Sequence, residues 1–120
     1  MTSLGDTYLG GAAVHGEDHL WIVINEPAKH GHAALVVNIS TLRAGAETTC
    51  VLQRGEHVFI RHESYVRYQS ARAVKTSDFA RLLQAGYFKP HQPASVALLD
   101  KLRAGALASP FLATELKALL

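Results

Sequence analysis

The sequence predicts an α+β fold: a small bent antiparallel sheet or partly open barrel, with helices closing one end or flank. Two observations carry this. Short runs rich in β-branched and aromatic residues follow one another through the first three quarters of the chain, separated by turns containing Gly or Pro. From Thr76-Ser77-Asp78 onward the apolar residues recur at helical spacing instead. With 120 residues the chain reads as a single domain, 1–120, divided into a barrel over 5–75 and a helical C-terminal part over 77–120.

The elements follow in order. "TYLGGAAV" (7–14) is a weak first strand whose paired glycines suggest a bulge or sharp bend. "HLWIVIN" (19–25) and "AALVVNIS" (33–40) form a hairpin around "EPAKHGHA", where Pro27 and Gly31 break the strand pattern. "TTCVLQ" (48–53), "HVFIRH" (57–62) and "SYVRYQSARAV" (64–74) supply three further strands. "SDFARLLQAG" predicts a helix with Ser77 as N-cap, Phe79, Leu82 and Leu83 on one face, and Gly86 as its stop. "PASVALLDKLRAG" predicts a second, with Val96, Leu98, Leu99 and Leu102 apolar. Ser109 and Pro110 in "SPFLATELKALL" read as the cap and first position of a third. Between them "KPHQP" is the one soft joint.

Composition narrows the class. Hydrophobic residues at 48% against 18% charged describe a folded chain and not a disordered one. A net charge of +2 is too small to argue for nucleic acid alone, although a pI of about 8.9 permits it. Seven histidines give the chain an unusual capacity to gain charge as pH falls below neutrality. The single cysteine, Cys50, excludes an intramolecular disulfide and reads as a buried thiol within a strand. The N-terminus leads into no apolar signal segment, and no run approaches the roughly 18 apolar residues of a membrane span, so a cytoplasmic protein without a membrane partner is expected. The pairs His15/His19, His30/His32 and His57/His62 form no recognised zinc pattern, and neither a phosphate-binding glycine loop nor a nucleophile elbow occurs; no metal and no cofactor are expected.

Register places the polar residues. Pairing Trp21 with Asn38 and Val23 with Val36 puts Leu20, Ile22, Ile24, Leu35, Val37 and Ile39 on one wholly apolar face. A slip of one residue would bury Asn38 and Ser40 among them, at about 1–3 kcal/mol for each unsatisfied group. In the favoured register His19 stands opposite Ser40 at the open end of the hairpin, with Trp21, Asn25 and Asn38 on the same, wet face and Thr41 and Arg43 just beyond. In the later strands Val58, Ile60, Val66 and Tyr68 suit the core. Tyr65 and Arg67 suit a surface that binds phosphate and stacks a base, with His62-Glu63-Ser64 connecting the strands. Both patches also have a plain structural account, as a cross-strand surface cluster and an edge strand kept soluble by arginine.

The order of pieces resembles the MazF/PemK (Kid) toxin–antitoxin endoribonucleases over residues 5–86: Gly5-Asp6 before "TYL", the β-branched run "HLWIVIN", the strand ending "VVNIST", and "HESYVRYQSARAVKTSDFARL" leading into a helix. The resemblance implies an SH3-like partly open barrel, RNA as substrate, an antitoxin protein as partner and a homodimer. It carries the family's active-site arginine onto His19 and its catalytic threonine or serine onto Ser40 or Thr41. Histidine exchanges a bidentate phosphate grip for proton transfer near neutrality. The reading that follows is a metal-independent endoribonuclease acting on single-stranded RNA. His19 with His62 or His57 moves protons, Ser40 or Thr41 bonds a phosphate oxygen, Arg43 or Arg67 holds phosphate, and Trp21 or Tyr65 stacks a base beside Ser64. The alternative is a non-catalytic SH3-like module binding RNA or a protein segment in an aromatic groove formed by Trp21, Tyr65 and Tyr68.

Overall fold

β-Branched runs joined by short turns pair with their neighbours, and the connections decide what covers each face. In the computed structural model, which describes residues 2–11 and 18–120, strands β1 (Thr7–Gly10), β2 (His19–Val23), β3 (Ala33–Thr41), β4 (Val51–Leu52), β5 (Ser64–Lys75) and β6 (Phe88–His91) make one antiparallel sheet. Its order is β4-β5-β3-β2-β1-β6, and it curls into a half-barrel. Helices α1 (Thr76–Gln84), α2 (Val96–Ala108) and α3 (Thr114–Lys117) complete the α+β architecture that the sequence predicts. The expected end of the first strand at Ala12–Val14, and His15, lie outside the described residues. Among the described residues no helix is long and apolar enough to cross a membrane.

The hairpin register is the expected one, with Trp21 opposite Asn38 and Val23 opposite Val36. Leu20, Ile22, Leu35, Val37 and Ile39 all enter a core that α2 closes with Leu98, Leu102 and Ala106. The opposite face is not wet. Trp21 is 4% exposed and shares a second core with Tyr8, Val23, Val36 and Phe79. The reason is the connection after β5. Helix α1 begins at once and lays Phe79 against Tyr8, with ring centroids 4.5 Å apart, while Phe88 of β6 meets Trp21 edge-on at 6.4 Å. Alternation says which side a residue takes, but not what later arrives to cover it. Asn25 and Asn38 are buried as well, and Asn25 closes the hairpin by donating to the Ala33 carbonyl and accepting from the Leu35 N–H.

Five further expectations are corrected. "HVFIRH" is not a strand but part of a loop over 53–63. Val58 and Phe59 are 56% and 38% exposed, while His57 and Ile60 are buried, a spacing that turns of the chain produce and strand alternation does not. The Gly55 N–H reaches the Ile60 carbonyl at 3.0 Å, closing the turn. The presumed joint "KPHQP" supplies β6, which pairs with β1 at the sheet edge, so the sheet extends beyond residue 75. Pro90 is tolerated because an edge strand needs no outward N–H. Ser77 is not the cap of α1, which starts at Thr76 without a side-chain cap, although Gly86 stops it as expected with φ +80°. Ser109 and Pro110 do not open a long helix. Ser109 ends α2, its Oγ accepts from the Phe111 N–H, and the last helix is only Thr114–Lys117; Val96, at 75% exposure, is not a core residue.

One irregularity bends the sheet. Val36 pairs with Arg72 but Asn38 pairs with Arg67, so two steps along β3 match five along β5. Extra residues on one strand coil and bend it. Tyr68 lies in this bulged stretch, and its hydroxyl donates to the Leu102 carbonyl of α2 at 2.7 Å. Gly105, one turn further along α2, leaves room for that phenol.

Candidate functional site

The open end of the β2–β3 hairpin, the start of β5 and the loop over 53–63 enclose a cavity of about 470 Å³. Its position follows from chain path. β2 begins at His19, β3 ends at Thr41 and β5 begins at Ser64, so side chains at the strand ends meet a loop that must cross from β4 back to β5. His19, Ser40, Thr41, His62 and Ser64 all line it, which brings together five of the residues that the sequence singles out. The cross-strand ladder gives the same neighbourhood: Leu20 pairs with Ile39, one step inside His19 and Ser40, and Ser40 pairs with Tyr65. Arg61, Asp18 and His91 complete the polar lining, and Phe59 contributes an aromatic wall.

The hydrogen bonds sort these groups. The Ser40 hydroxyl is buried and has no hydrogen-bond partner among the described residues. The Ser64 hydroxyl is engaged, donating to the His62 carbonyl at 2.8 Å, and so fixes the turn from the loop into β5. The His19 Nδ1 faces the Ile39 carbonyl at 3.4 Å, a long contact that orients the ring if Nδ1 carries the proton. Arg61, His62 and Thr41 are exposed at the mouth.

His57 stands apart. Its Nδ1 accepts from the Phe59 N–H at 3.0 Å and its Nε2 donates to the Gln92 carbonyl at 2.6 Å. Both nitrogens are therefore occupied by backbone, and the ring is a neutral strut of the loop. Burial pushes its pKa below the ordinary value, more than the Gln92 carbonyl raises it, and the neighbouring His91 pushes the same way. The loop is held from its other side by Glu56, which accepts from the Gln53 N–H at 2.6 Å and pairs with Lys101 of α2 at 2.9 Å. Burial raises the Glu56 carboxyl, but that N–H and the Lys101 ammonium outweigh it and hold the group below the usual carboxylate range.

The remaining expected residues go elsewhere. Trp21 is in the second core, where its indole N–H donates to the Gly10 carbonyl at 3.3 Å, so it stacks on no ligand. Arg43, Tyr65 and Arg67 line a separate cavity of about 360 Å³ beside the turn over 43–46. Tyr65 is 4% exposed, a wall and not an open stacking surface. His91 was missed by sequence reasoning because Pro90 disguised β6 as a joint; its ring packs 5.2 Å from His57 and 6.1 Å from Phe59. Alternation through "FKPH", read across the proline, was the signal. Among the described residues no group of three or more His, Cys, Asp or Glu side chains is arranged to hold a metal ion. Cys50 is buried, with its thiol pushed up by burial.

Fold and cavity together define a small α+β half-barrel with a histidine-lined cleft at one end of its sheet. No protein-family model matches the chain, and neither a curated protein nor a solved structure does.

Proposed function

We propose that the chain is a metal-independent endoribonuclease of the MazF/PemK type that cleaves single-stranded RNA in the cavity between the hairpin end and the loop over 53–63. The observation that carries this reading is one cavity shared by two imidazoles, His19 and His62, an arginine, Arg61, and the unpartnered hydroxyl of Ser40. The residues that the family resemblance maps onto the active site, His19 and Ser40 or Thr41, line that same cavity.

The chemistry needs a base, an acid and a cation. One imidazole removes the proton of the ribose 2′-hydroxyl, and the oxygen attacks the adjacent phosphorus. The other imidazole protonates the departing 5′-oxygen, leaving a 2′,3′-cyclic phosphate and a free 5′-hydroxyl. Arg61 offsets the charge that develops on the phosphorane oxygens, and Ser40 donates to one of them. His57 has no part in proton transfer, because its two nitrogens are spent on the backbone.

The reading as a non-catalytic binding module rests on Trp21, Tyr65 and Tyr68 as walls of an aromatic groove. Their exposures of 4%, 4% and 1% leave that groove without its surfaces. The test is His19→Ala with a single-stranded RNA substrate and thermal unfolding as the fold control. Acid–base groups contribute about 10²–10⁴-fold, so a loss of that order at unchanged stability is expected. An unchanged rate removes His19 from the mechanism and the reading with it.

A further inference from the structure

The second cavity contains a group that the cleavage reading does not use. Glu47 reaches into it from the turn over 43–46, where the Ala46 N–H closes on the Arg43 carbonyl at 3.2 Å. Its Oε1 accepts from the Gln69 backbone N–H at 3.1 Å, which ties the turn to β5. Its Oε2 is buried and has no hydrogen-bond partner among the described residues. Arg43 and Arg67 line the same cavity, yet neither is within ion-pair distance of Glu47. Leaving a carboxylate oxygen buried and unsatisfied is costly, and two nearby guanidinium groups that do not satisfy it make the cost conspicuous. Phe111 stands at the rim with 52% of its surface exposed.

We infer that this cavity is a guanine-reading nucleotide site. An acceptor-only group selects a ligand edge that donates. Guanine alone among the four RNA bases presents two adjacent donors, N1–H and N2–H, on its pairing edge. Adenine and cytosine set a ring nitrogen lone pair beside their amino group, and uracil flanks its single N–H with two carbonyls. Against Glu47, once the carboxylate turns Oε2 from its buried position into the cavity, the guanine edge bonds Oε2 and the remaining lone pair of Oε1, whereas every other base directs at least one lone pair at the carboxylate. Arg43 and Arg67 hold the attached phosphate, and Phe111 offers the exposed ring face that a base stacks on. A volume of about 360 Å³ lies within the roughly 300–1,000 Å³ usual for small-molecule sites.

The site is placed to select a substrate for the neighbouring cavity. Tyr65 lines the guanine site and Ser64 the histidine cavity, so successive residues of β5 face the two. The inference that this base belongs to an RNA strand rests on the proposed cleavage reading; the recognition of a guanine nucleotide does not.

The experiment measures binding of the four nucleoside 5′-monophosphates to the full chain by calorimetry, and in parallel maps cuts in a single-stranded RNA of mixed sequence. GMP is expected to bind about tenfold or more tightly than AMP, CMP or UMP. Glu47→Gln, which keeps the acceptor for Gln69 but puts donors in place of the second oxygen, should bring the four within about threefold. Phe111→Ala should weaken all four alike. Equal binding of the four nucleotides, a GMP preference that survives Glu47→Gln, or binding of none overturns the site. GMP selectivity without RNA cleavage sustains the site while removing the nuclease reading. Cleavage with no preference for guanine beside the cut, and no GMP selectivity, does the reverse.

Discussion

Gly105 sits inside α2, where glycine costs about 1 kcal/mol relative to alanine, so helix propensity alone says that Gly105→Ala should stabilise the protein by that amount. The packing says the opposite. A Cβ at this position would lie 2.3 Å from the Tyr68 hydroxyl oxygen, 3.1 Å from its Cζ and 3.0 Å from the Cys50 Cβ. Tyr68 is 1% exposed, and its hydroxyl is committed to the Leu102 carbonyl, so the phenol has nowhere to go without leaving that bond. Overpacking a tight core costs about 1–3 kcal/mol. Stranding a buried hydroxyl and its carbonyl adds about 1–3 kcal/mol. Against the gain of about 1 kcal/mol, the net loss is about 1–5 kcal/mol, centred near 3. For a domain of this size that lowers Tm by about 10 °C. Urea unfolding of Gly105→Ala, Tyr68→Phe and the double variant tests the cause. Removing the hydroxyl removes the closest contact, so the alanine should cost less in the Tyr68→Phe background. A neutral or stabilising Gly105→Ala, or costs that simply add in the double variant, would refute the account.

Two more outcomes concern the loop that walls the histidine cavity. His57 is held neutral in the folded protein with its pKa below the ordinary 6.5. The unfolded chain therefore binds the extra proton first as pH falls, so this contribution to stability is complete above about pH 6.5 and is lost progressively below it, down to the folded pKa. Urea unfolding should show a decline from pH 7.5 to pH 5 that shrinks in His57→Phe; an equal decline in both proteins would acquit His57. Lys101→Met removes the partner of Glu56, but the two side chains are 40% and 28% exposed, so global stability should fall by less than about 1 kcal/mol. Limited proteolysis within 53–63 should nevertheless accelerate, and an unchanged cleavage rate there would mean that Lys101 does not hold the loop.

The sequence made the sheet legible where two-residue alternation met an adjacent partner. The register of the β2–β3 hairpin, the apolar set from Leu20 to Ile39 and the nearness of Ser40 and Thr41 to His19 follow from local pattern, whereas His62 and Ser64 join them through the β3–β5 pairing. What it concealed depends on partners distant in the chain. Trp21 is buried because Phe79 and Phe88 arrive from more than fifty residues away. His57 is occupied because the Gln92 carbonyl reaches it across 35 positions. The alternation in "HVFIRH" was coincidental, since turns bury His57 and Ile60 and expose the two residues between them. Pro90 misled for a different reason: proline argues against a central strand but not against an edge, and nothing local says which of these a strand will be.

The two cavities depend on one register. Ser64, in the histidine cavity, and Tyr65, in the guanine site, are neighbours on β5, and Tyr65 pairs directly with Ser40 of the histidine cavity. A slip of one residue against β3 would send Tyr65 and Arg67 toward the core and pull Ser64 and Val66 out of it, dismantling both cavities together. The irregular pairing between Val36 and Asn38 pins that register, because the extra residues of β5 fit at one place only, and Tyr68 within them is fastened to α2. Gly105→Ala strikes that fastening. Among molecules that remain folded, it should therefore reduce GMP selectivity and RNA cleavage in step, although Gly105 lines neither cavity. Loss of one activity with the other intact would mean that the two sites are not set by a common register.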